Sequence, residues 1–310
     1  MMKYTKISGT DLDVSVLSLG TWVFGGEGWK GTKDSDSMDA ISAALDYGVN
    51  LIDTAPIYGF GRAEVVVGKA IKGRRDKVVI ATKCGLVWDV PRSNRIKYNL
   101  SPISIEKELN DSLERLGTDY IDIYQCHWPD PDVVIEDTLE AMLKFQRQGK
   151  IKYIGVCNFD TGLLKKAYDI VDIVTTQNRY SLLSREVEKD ILPFIRSTGI
   201  GMLAYGGLGG GILSGKYTDL PADFEPSDVR RFFYKYYNGR IFSDINLRLK
   251  AMQDIGRPLN QIALNWVRQQ DGVVSVLVGC RDAIQAGQNF MAANWDLSER
   301  DIERINKIFM

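Results

Sequence analysis

The 310-residue sequence predicts an α/β protein with a (β/α)8 TIM-barrel fold, and three observations support this prediction. Eight short apolar runs recur along the chain at an even pace. The stretches between them carry apolar residues at i, i+3, i+4 and i+7, which is the spacing of amphipathic helices. The runs are apolar at nearly every position, as is typical of parallel strands buried on both faces. Eight such units favour a closed barrel over an open doubly wound sheet, which rarely needs so many.

The predicted strands and helices alternate through most of the chain. In chain order the strands are VLSLG ending at Gly20, VNLIDTA, KVVIATK, IDIYQCH, IKYIGVCN, IVTTQN, IGMLAYG and VVSVLVG ending at Gly279. The predicted helices include SDSMDAISAALDYG, SPISIEKELNDSLERLG, EDTLEAMLKFQRQG and NQIALNWVRQQDG. Several of them begin with Ser, Asp or Asn and close with Gly, which are helix caps. Residues 1–310 are therefore predicted to form a single barrel domain.

Three segments fall outside this alternation. The opening KYTKISGTDLDVSVL predicts an N-terminal hairpin that closes the bottom of the barrel, and the tail SERDIERINKIFM predicts a final helix. Residues 215–245 carry Pro, Gly and crowded aromatic residues without a clear period, so we expect a long loop after the seventh strand. Loops of this length in a compact domain are usually functional. Its Arg230 and Arg231 could either clamp a cofactor or face water.

The composition excludes several classes of protein. The chain has 39 Lys and Arg residues and 40 Asp and Glu residues. It therefore lacks the excess of basic residues that would indicate a nucleic-acid or membrane partner. The first residues lack a leader-like apolar run, and no run reaches the ~18 apolar residues of a membrane span, so we expect a cytoplasmic protein. The chain has one histidine, and its four cysteines form no C-x-x-C motif, so we expect neither a metal site nor a disulfide framework.

Polar residues stand at the carboxyl ends of three consecutive predicted strands. Asp53, Lys83 and His127 lie at the ends of the second, third and fourth strands, and Tyr58 follows Asp53 by five residues. The strand ends of a barrel converge on one mouth, where barrel enzymes carry their catalytic groups. Each residue alone could be a cap, a solvent-facing cation, a packing ring or a satisfied core histidine. Their joint occurrence on neighbouring strands favours a catalytic site.

These four side chains suit the polarisation and protonation of a carbonyl group. A free tyrosine titrates near 10, and a nearby Lys83 ammonium is expected to lower that pKa. Asp53 would keep Lys83 charged and oriented, and a neutral His127 could donate a hydrogen bond to a substrate oxygen. Carbonyl reduction would then need only a hydride donor.

Four segments of the chain resemble the signature segments of the aldo-keto reductase superfamily. They are NLIDTAPIYGFGRAEVVVGKAI, VIATKCG, LNDSLERLGTDYIDIYQCHWPD and IKYIGVCNF. The likeness runs over essentially the whole chain, and the segment GLGGGILSGKY is closer to the bacterial and potassium-channel-β-like branches. The resemblance implies that Tyr58 is the proton donor, that Asp53 and Lys83 tune it, and that His127 orients the carbonyl. We therefore expect an active NADP(H)-dependent oxidoreductase acting on small aldehydes, ketones or sugars.

The resemblance also implies a nicotinamide cofactor site formed by the loops after several strands. Tyr205 would stack on the nicotinamide ring, the following glycines would let backbone N–H groups approach the pyrophosphate, and Arg281 would pair with a 2′-phosphate. Cys157 stands where the family usually has Ser, so the carboxamide would rest on Asn158 and Gln177. The full set of expected cofactor contacts is Gly20, Thr21, Trp22, Asp53, Asn158, Gln177, Tyr205, Gly206, Gly207, Leu208, Gly210, Lys216, Gly279, Arg281, and, on one helical face, Gln285, Gln288 and Asn289.

The glycine-rich stretch after Tyr205 has another possible interpretation. Gly210 to Lys216 spells G-x-x-x-x-G-K, the beginning of a phosphate-binding P-loop. Tyr217 follows where that motif needs a magnesium-binding Ser or Thr, which disfavours a nucleotide triphosphatase. A flexible glycine hinge is the plain alternative.

The substrate pocket and two further functions complete the predictions. Aromatic and polar walls are expected from Trp22, Tyr58, Trp88, His127 and Trp128, with ordinary packing as the alternative. A Schiff-base aldolase that uses Lys83 is disfavoured, because such chemistry needs a lowered lysine pKa and Asp53 would raise it. An NADPH-binding redox sensor with little turnover, as channel-associated relatives are, stays open. The sequence does not indicate an oligomeric state.

Overall fold

The computed structural model describes residues 1–29, 31–89, 96–218 and 224–310. Within these ranges the strands are β1 Tyr4–Lys6, β2 Asp13–Ser15, β3 Leu17–Gly20, β4 Leu51–Asp53, β5 Val79–Cys84, β6 Leu86–Trp88, β7 Ile96–Tyr98, β8 Ile121–Cys126, β9 Ile151–Cys157, β10 Ile173–Arg179, β11 Gly201–Tyr205 and β12 Val273–Gly279. The helices are α1 Asp34–Asp46, α2 Arg62–Ala70, α3 Pro102–Leu116, α4 Ile135–Arg147, α5 Thr161–Tyr168, α6 Ile191–Thr198, α7 Arg230–Phe233, α8 Gly239–Ala251, α9 Leu259–Arg268, α10 Ala283–Phe290 and α11 Glu299–Phe309.

Eight parallel strands form a closed barrel in the order β3-β4-β5-β8-β9-β10-β11-β12, which is also their order along the chain. The barrel closes where β12 pairs with β3 in the register Val276↔Leu17 to Gly279↔Gly20. The eight predicted runs correspond to these strands, so the TIM-barrel prediction is confirmed. His127 lies one residue beyond the end of β8 rather than within it. Its backbone N–H still donates to the Cys84 carbonyl, which holds it against the neighbouring strand.

The predicted N-terminal hairpin is present as the antiparallel pair β1–β2. The turn between its strands carries Ile7 and Leu12, which are buried in the same apolar cluster as Leu51, Ile123 and Leu203 of the barrel strands. Burial of these side chains accounts for the closed bottom of the barrel. A second antiparallel hairpin, β6–β7, follows the third barrel strand and was not predicted.

The expectation of a loop through residues 215–245 is wrong for its second half. Helix α7 begins at Arg230 and helix α8 begins at Gly239, while residues 219–223 lie outside the described residues. Phe242, Ile245 and Leu249 are buried along one side of α8, because they follow the helical spacing i, i+3, i+7. The Pro, Gly and aromatic residues that precede α8 hid this period in the sequence.

The second apolar layer lies between the barrel strands and the surrounding helices. Trp266 of α9, Phe145 of α4 and Phe290 of α10 are among its largest fully buried side chains. Helix α3 begins with Pro102 in its first turn and ends at Gly117 in the left-handed conformation, which is the expected asymmetry of helix ends. None of the helices in the described part of the chain is long and apolar enough to cross a membrane.

Candidate active site

A buried ion pair lies at the centre of the barrel mouth. Lys83 Nζ is 2.9 and 2.7 Å from the two carboxylate oxygens of Asp53, and it also donates to the carbonyl of Thr54 at 2.9 Å. Gln177 Nε2 donates to the same carboxylate at 2.8 Å. Burial is the largest single effect and opposes the charge on Lys83, but Asp53, Tyr58 and Cys157 together outweigh it, and the pKa of Lys83 is raised above its usual value. Lys83 is therefore held as an ammonium.

Tyr58 reaches the ion pair from the loop after β4. Its hydroxyl lies 3.3 Å from Lys83 Nζ, within hydrogen-bond reach. The loop sits close against the loop after β3, because a Cβ placed on Gly59 would lie 2.1 Å from the Gly25 carbonyl oxygen. Gly59 also has a φ of 65°, which glycine adopts without strain. This contact between two glycines fixes the position of Tyr58 over the mouth.

The expected lowering of the Tyr58 pKa is not found. Burial raises the pKa of the phenol, and this effect exceeds the opposing effect of Lys83. The physical reason is that removal of water destabilises the phenolate more than one nearby ammonium stabilises it, the more so because Asp53 lies close by. Tyr58 therefore holds its proton firmly at neutral pH, and Lys83 is placed to stabilise the phenolate that forms when the proton leaves.

His127 faces Tyr58 across the mouth. The two ring centroids are 5.9 Å apart, with the rings nearly perpendicular at 84°. Burial and the positive charge of Lys83 hold the pKa of His127 well below its usual range. The imidazole is therefore neutral at pH 7 and can donate one N–H to an oxygen in the mouth.

Asn158, Gln177 and Tyr205 lie together on the next three strand ends. The Tyr205 hydroxyl donates to Asn158 Oδ1 at 2.9 Å, and Asn158 Nδ2 donates to the His127 carbonyl at 3.0 Å. Asn158 has a φ of 59°, which is uncommon for a residue other than glycine and marks a position that its surroundings hold in place. The structure thus brings these residues into contact with the four-residue set.

The glycine-rich turn after Tyr205 is not a P-loop. Residues Gly209–Ser214 form a 3-10 turn in which Gly210 and Gly211 have non-helical backbone angles, and the described residues directly after Lys216, which are Tyr217 and Thr218, are not helical. A Cβ on Gly210 would lie 2.6 Å from the Tyr234 ring, so only glycine fits there. Lys216 is exposed, with its Nζ 4.7 Å from the Tyr217 ring centroid.

The described residues of the loop before α8, which we call the strap (residues 224–237), cross the mouth. The Val229 N–H donates to the Gly28 carbonyl at 3.1 Å, so the strap meets the loop after β3. Tyr237 donates from its hydroxyl to the Gly210 carbonyl at 3.0 Å. Arg230 pairs with buried Asp228 at 2.6 Å, which anchors the strap internally. The first of the two strap arginines is therefore held within the protein and does not face water.

Arg281 and Arg230 approach the same indole ring. Their guanidinium carbons lie 5.7 and 5.4 Å from the Trp29 ring centroid. Burial and the positive charge of Arg230 lower the pKa of Arg281. Because Asp228 binds Arg230, the attraction for an anion between the ends of β3 and β12 depends on Arg281.

The three predicted residues of α10 do not share one environment. Gln285 accepts from the Arg281 N–H at 3.2 Å, and Asn289 is buried and accepts from Asn260 at 2.8 Å. Gln288 is exposed. Gly279, Gly20 and Thr21 meet at the closure of the barrel, where β12 pairs with β3. In this arrangement two of the three α10 side chains are engaged by protein groups.

Aromatic rings line one side of the mouth. Trp22 lies against Tyr58 with ring centroids 6.2 Å apart, and against Trp29 and Phe233 at 5.4 and 5.0 Å. Trp88 is farther along the rim and packs on Phe60 at 5.3 Å. Trp128 follows His127 and is half-buried. Sequence reasoning missed Trp29 and Phe60, since each lies in a segment without regular spacing.

No group of three or more His, Cys, Asp or Glu side chains is placed to hold a metal ion within the residues that the structure describes. The four cysteines are buried and free. Cys157 lies near Lys83 and Asp53, and burial raises the pKa of its thiol well above the usual value. Its thiol is therefore protonated.

The fold agrees with comparisons to known proteins. The sequence model of the Aldo/keto reductase family matches residues 16–309. The chain therefore belongs to the aldo/keto reductase family, as its motifs predicted. It is 40% identical to aldo-keto reductase YhdN of Bacillus subtilis, over 99% of this chain and 93% of that protein.

Other similar proteins include a bacterial enzyme, a plant channel subunit and a solved structure. It is 35% identical to the NADH-specific methylglyoxal reductase of Escherichia coli, over 97% of this chain and 96% of that protein. It is 33% identical to a probable voltage-gated potassium channel subunit beta of Arabidopsis thaliana, over 94% and 92%. Among solved structures, the glycerol dehydrogenase AKR11B4 of Gluconobacter oxydans superposes with a TM-score of 0.90 at 33% identity, covering 98% of this chain and 94% of that one.

Proposed function

We propose that this protein is an NADP(H)-dependent reductase that converts small aldehydes or ketones to alcohols, or catalyses the reverse reaction. The observation that carries the proposal is the contact of Tyr58 with the Asp53–Lys83 pair, with neutral His127 facing it across the barrel mouth. A proton donor, an electrostatic stabiliser and a neutral hydrogen-bond donor converge there. Carbonyl reduction requires these three kinds of catalytic group.

The residues of this chain orient the substrate and supply the proton. His127 donates a hydrogen bond to the carbonyl oxygen and polarises it, which makes the carbon more electrophilic. A nicotinamide cofactor, when bound in the mouth, would supply the hydride. Tyr58 gives its hydroxyl proton to the oxygen as negative charge develops, and the Lys83 ammonium stabilises the resulting phenolate. Asp53 keeps Lys83 in place throughout.

Several features of the barrel mouth support the binding of a dinucleotide cofactor. Tyr205 offers a ring on which the nicotinamide can stack, and Asn158 and Gln177 offer amide groups for its carboxamide. The positive-φ glycines at 206, 209, 210 and 211 leave the backbone without side chains, where a pyrophosphate needs close approach. The strap crosses the mouth above these glycines, with hydrogen bonds to the carbonyls of Gly28 and Gly210. These features support the proposed cofactor contacts.

The preference for NADP(H) rests on the region around Arg281. The Arg281 guanidinium near Trp29 suits a phosphate on the adenosine ribose, since Asp228 already binds Arg230. One relative is named as NADH-specific, which makes NADH the competing cofactor to test. Arg281→Ala should therefore weaken NADPH binding at least tenfold and leave NADH binding nearly unchanged, as measured by fluorescence titration. An unchanged NADPH/NADH affinity ratio would refute the preference.

The proposed reaction is tested by a cofactor-oxidation screen over aldehydes, ketones and sugars, with the reverse assay alongside. Methylglyoxal and glycerol belong in the panel, because the names of two relatives refer to them. Tyr58→Phe should lower kcat by roughly 10²–10⁴-fold while cofactor Kd changes little. Tyr153→Phe is the matched control, since Tyr153 donates to Asp11 at the opposite end of the barrel. Full turnover in Tyr58→Phe would sink the assignment.

A second candidate function is an NADPH-binding redox sensor with little turnover. The similarity to a probable plant potassium channel subunit is the observation that favours this second function. Tight cofactor binding without turnover on any substrate of the screen would support the sensor. Under either function we infer a single domain over residues 1–310 and, from the four free thiols, a reducing cytoplasmic location.

A further inference from the structure

Arg179 occupies the end of β10, two residues after Gln177 and therefore on the same face of the strand. Its guanidinium carbon is 5.9 Å from the Tyr205 ring centroid and 5.4 Å from the Tyr234 ring centroid. Its Nη1 donates to the Phe233 carbonyl at 3.4 Å. Arg179 thus lies between the strap and the tyrosine at the centre of the barrel mouth.

The charge of Arg179 is not neutralised within the described ranges, where no carboxylate forms an ion pair with it and its buried Nε has no hydrogen-bond partner. Lys83 differs, because Asp53 lies 2.7 Å from its ammonium. A guanidinium stays protonated at every pH at which proteins fold. The ring of Tyr205 therefore experiences a permanent positive charge from the strap side.

Resting on the function proposed above, we propose that Arg179 sets the relative affinity of the site for the two redox states of its cofactor. The oxidised nicotinamide ring is positively charged and the reduced ring is neutral. A fixed positive charge beside Tyr205 disfavours the oxidised ring and leaves the reduced ring unaffected. Arg179 thereby promotes release of the oxidised product and favours the direction of carbonyl reduction.

The size of this effect follows from Coulomb's law. Two unit charges ~10 Å apart in a medium of effective dielectric constant ~20 interact by an energy that corresponds to roughly a tenfold change in affinity. A tenfold change in the affinity ratio equals a shift of about 30 mV in the potential of a bound two-electron couple. The 2′-phosphate, pyrophosphate and adenine are common to both redox states, so the ratio isolates the ring charge.

The test is to measure Kd for NADPH and for NADP+ separately, by calorimetry, in the wild type and three variants. Arg179→Met should bind NADP+ about tenfold more tightly relative to NADPH, and Arg179→Lys should keep most of the wild-type ratio. Arg185→Met is the matched control, because Arg185 also lies over an aromatic ring, Trp266, but is paired with Glu188. Its ratio should equal that of the wild type.

The outcomes separate this inference from the function on which it rests. If Arg179→Met weakens both cofactor forms equally, Arg179 only ties the strap to the barrel and the inference is overturned. An equally large ratio change in Arg179→Lys would also overturn it, since the charge is retained. Wild-type protein that binds neither NADPH nor NADH would refute the proposed function itself. If NADH is the cofactor that binds, the NADH/NAD+ ratio gives the same test.

Discussion

The barrel carries a buried carboxylate–cation cluster at each end. At the mouth, Asp53 at the end of β4 binds Lys83, and Tyr58 and His127 face the pair from outside. At the bottom, Asp122 near the start of β8 accepts from Arg75 at 2.7 Å and from the Ile80 N–H at 2.9 Å. Lys152 completes the bottom cluster at 2.9 Å from the same carboxylate.

The two clusters differ in what surrounds their charges. The cations of the bottom cluster lie over the Tyr120 ring, with Arg75 at 4.0 Å and Lys152 at 4.6 Å, and every carboxylate oxygen has a partner. The cation of the mouth cluster also contacts the Thr54 carbonyl and the Tyr58 hydroxyl, and of these two groups the hydroxyl can exchange a proton. A buried ion pair alone therefore does not indicate a candidate catalytic site. The mouth cluster is a candidate because a titratable group contacts the ion pair and faces the barrel mouth.

Replacing the cation of each cluster in turn should show the largest difference between the two clusters. Lys83→Met should lower kcat by roughly 10²–10⁴-fold and destabilise the fold by about 3–5 kcal/mol, because Asp53 is left buried without its partner. Arg75→Met should cost roughly 1–3 kcal/mol, since Lys152 still binds Asp122, and should leave kcat unchanged. Denaturant unfolding and steady-state kinetics measure both quantities.

The double variant Asp53→Asn with Lys83→Met is a control that distinguishes loss of a chemical role from loss of folding. It removes the orphaned charge, so stability should recover in part while activity stays low. Recovery of activity together with stability would contradict a chemical role for Lys83, and a large loss of kcat in Arg75→Met would contradict the contrast between the two ends.

The pH dependence of stability should reveal the neutral state of His127. Its pKa is lowered in the folded protein by burial and Lys83, so below pH ~6.5 the unfolded chain binds one more proton than the folded one. Wild-type stability should therefore fall relative to His127→Gln by up to ~1.4 kcal/mol per pH unit as the pH drops below ~6.5. Urea unfolding of both proteins between pH 5 and 8 measures the difference.

Glu108 titrates in the same pH range, and its effect on stability has the opposite sign to that of His127. The stability of the wild type must therefore be compared with that of His127→Gln. Burial raises the pKa of Glu108 to about 7, so the folded state binds more protons there and gains stability as the pH falls. This contribution is common to wild type and His127→Gln and cancels in their difference. Because the chain has one histidine, parallel stability profiles would show that His127 is not held neutral.

The smallest expected effect concerns two cysteines on neighbouring strands. Cys157→Ser should tighten cofactor binding by a few-fold, because a hydroxyl donates a stronger hydrogen bond than a thiol. Cys126→Ser is the control, since Cys126 packs against Met142 of α4 with a sulfur–sulfur distance of 3.7 Å and should affect stability instead. Equal cofactor Kd in Cys157→Ser and wild type would show that this position does not contact the cofactor.

Much of the mouth could be predicted from the sequence because its residues are tied to strand ends. An apolar run followed by Asp53, Lys83 or His127 shows both the strand and the position of its end. The direction of the Tyr58 pKa could not be predicted, since it depends on how completely other segments exclude water from the phenol. Helix α8 was missed because the Pro, Gly and aromatic residues that precede it have no period and mask its helical spacing.

The sequence by itself determined the barrel, the order of its strands, the family and the four polar residues at the mouth. Those features depend on local periodicity and on motifs of adjacent residues. Tertiary structure alone decided that Trp29, Phe233 and Arg179 meet around Trp22 and Tyr205. They lie in segments up to about two hundred residues apart, and contacts between such segments depend on how loops pack over a finished barrel, which no local pattern encodes.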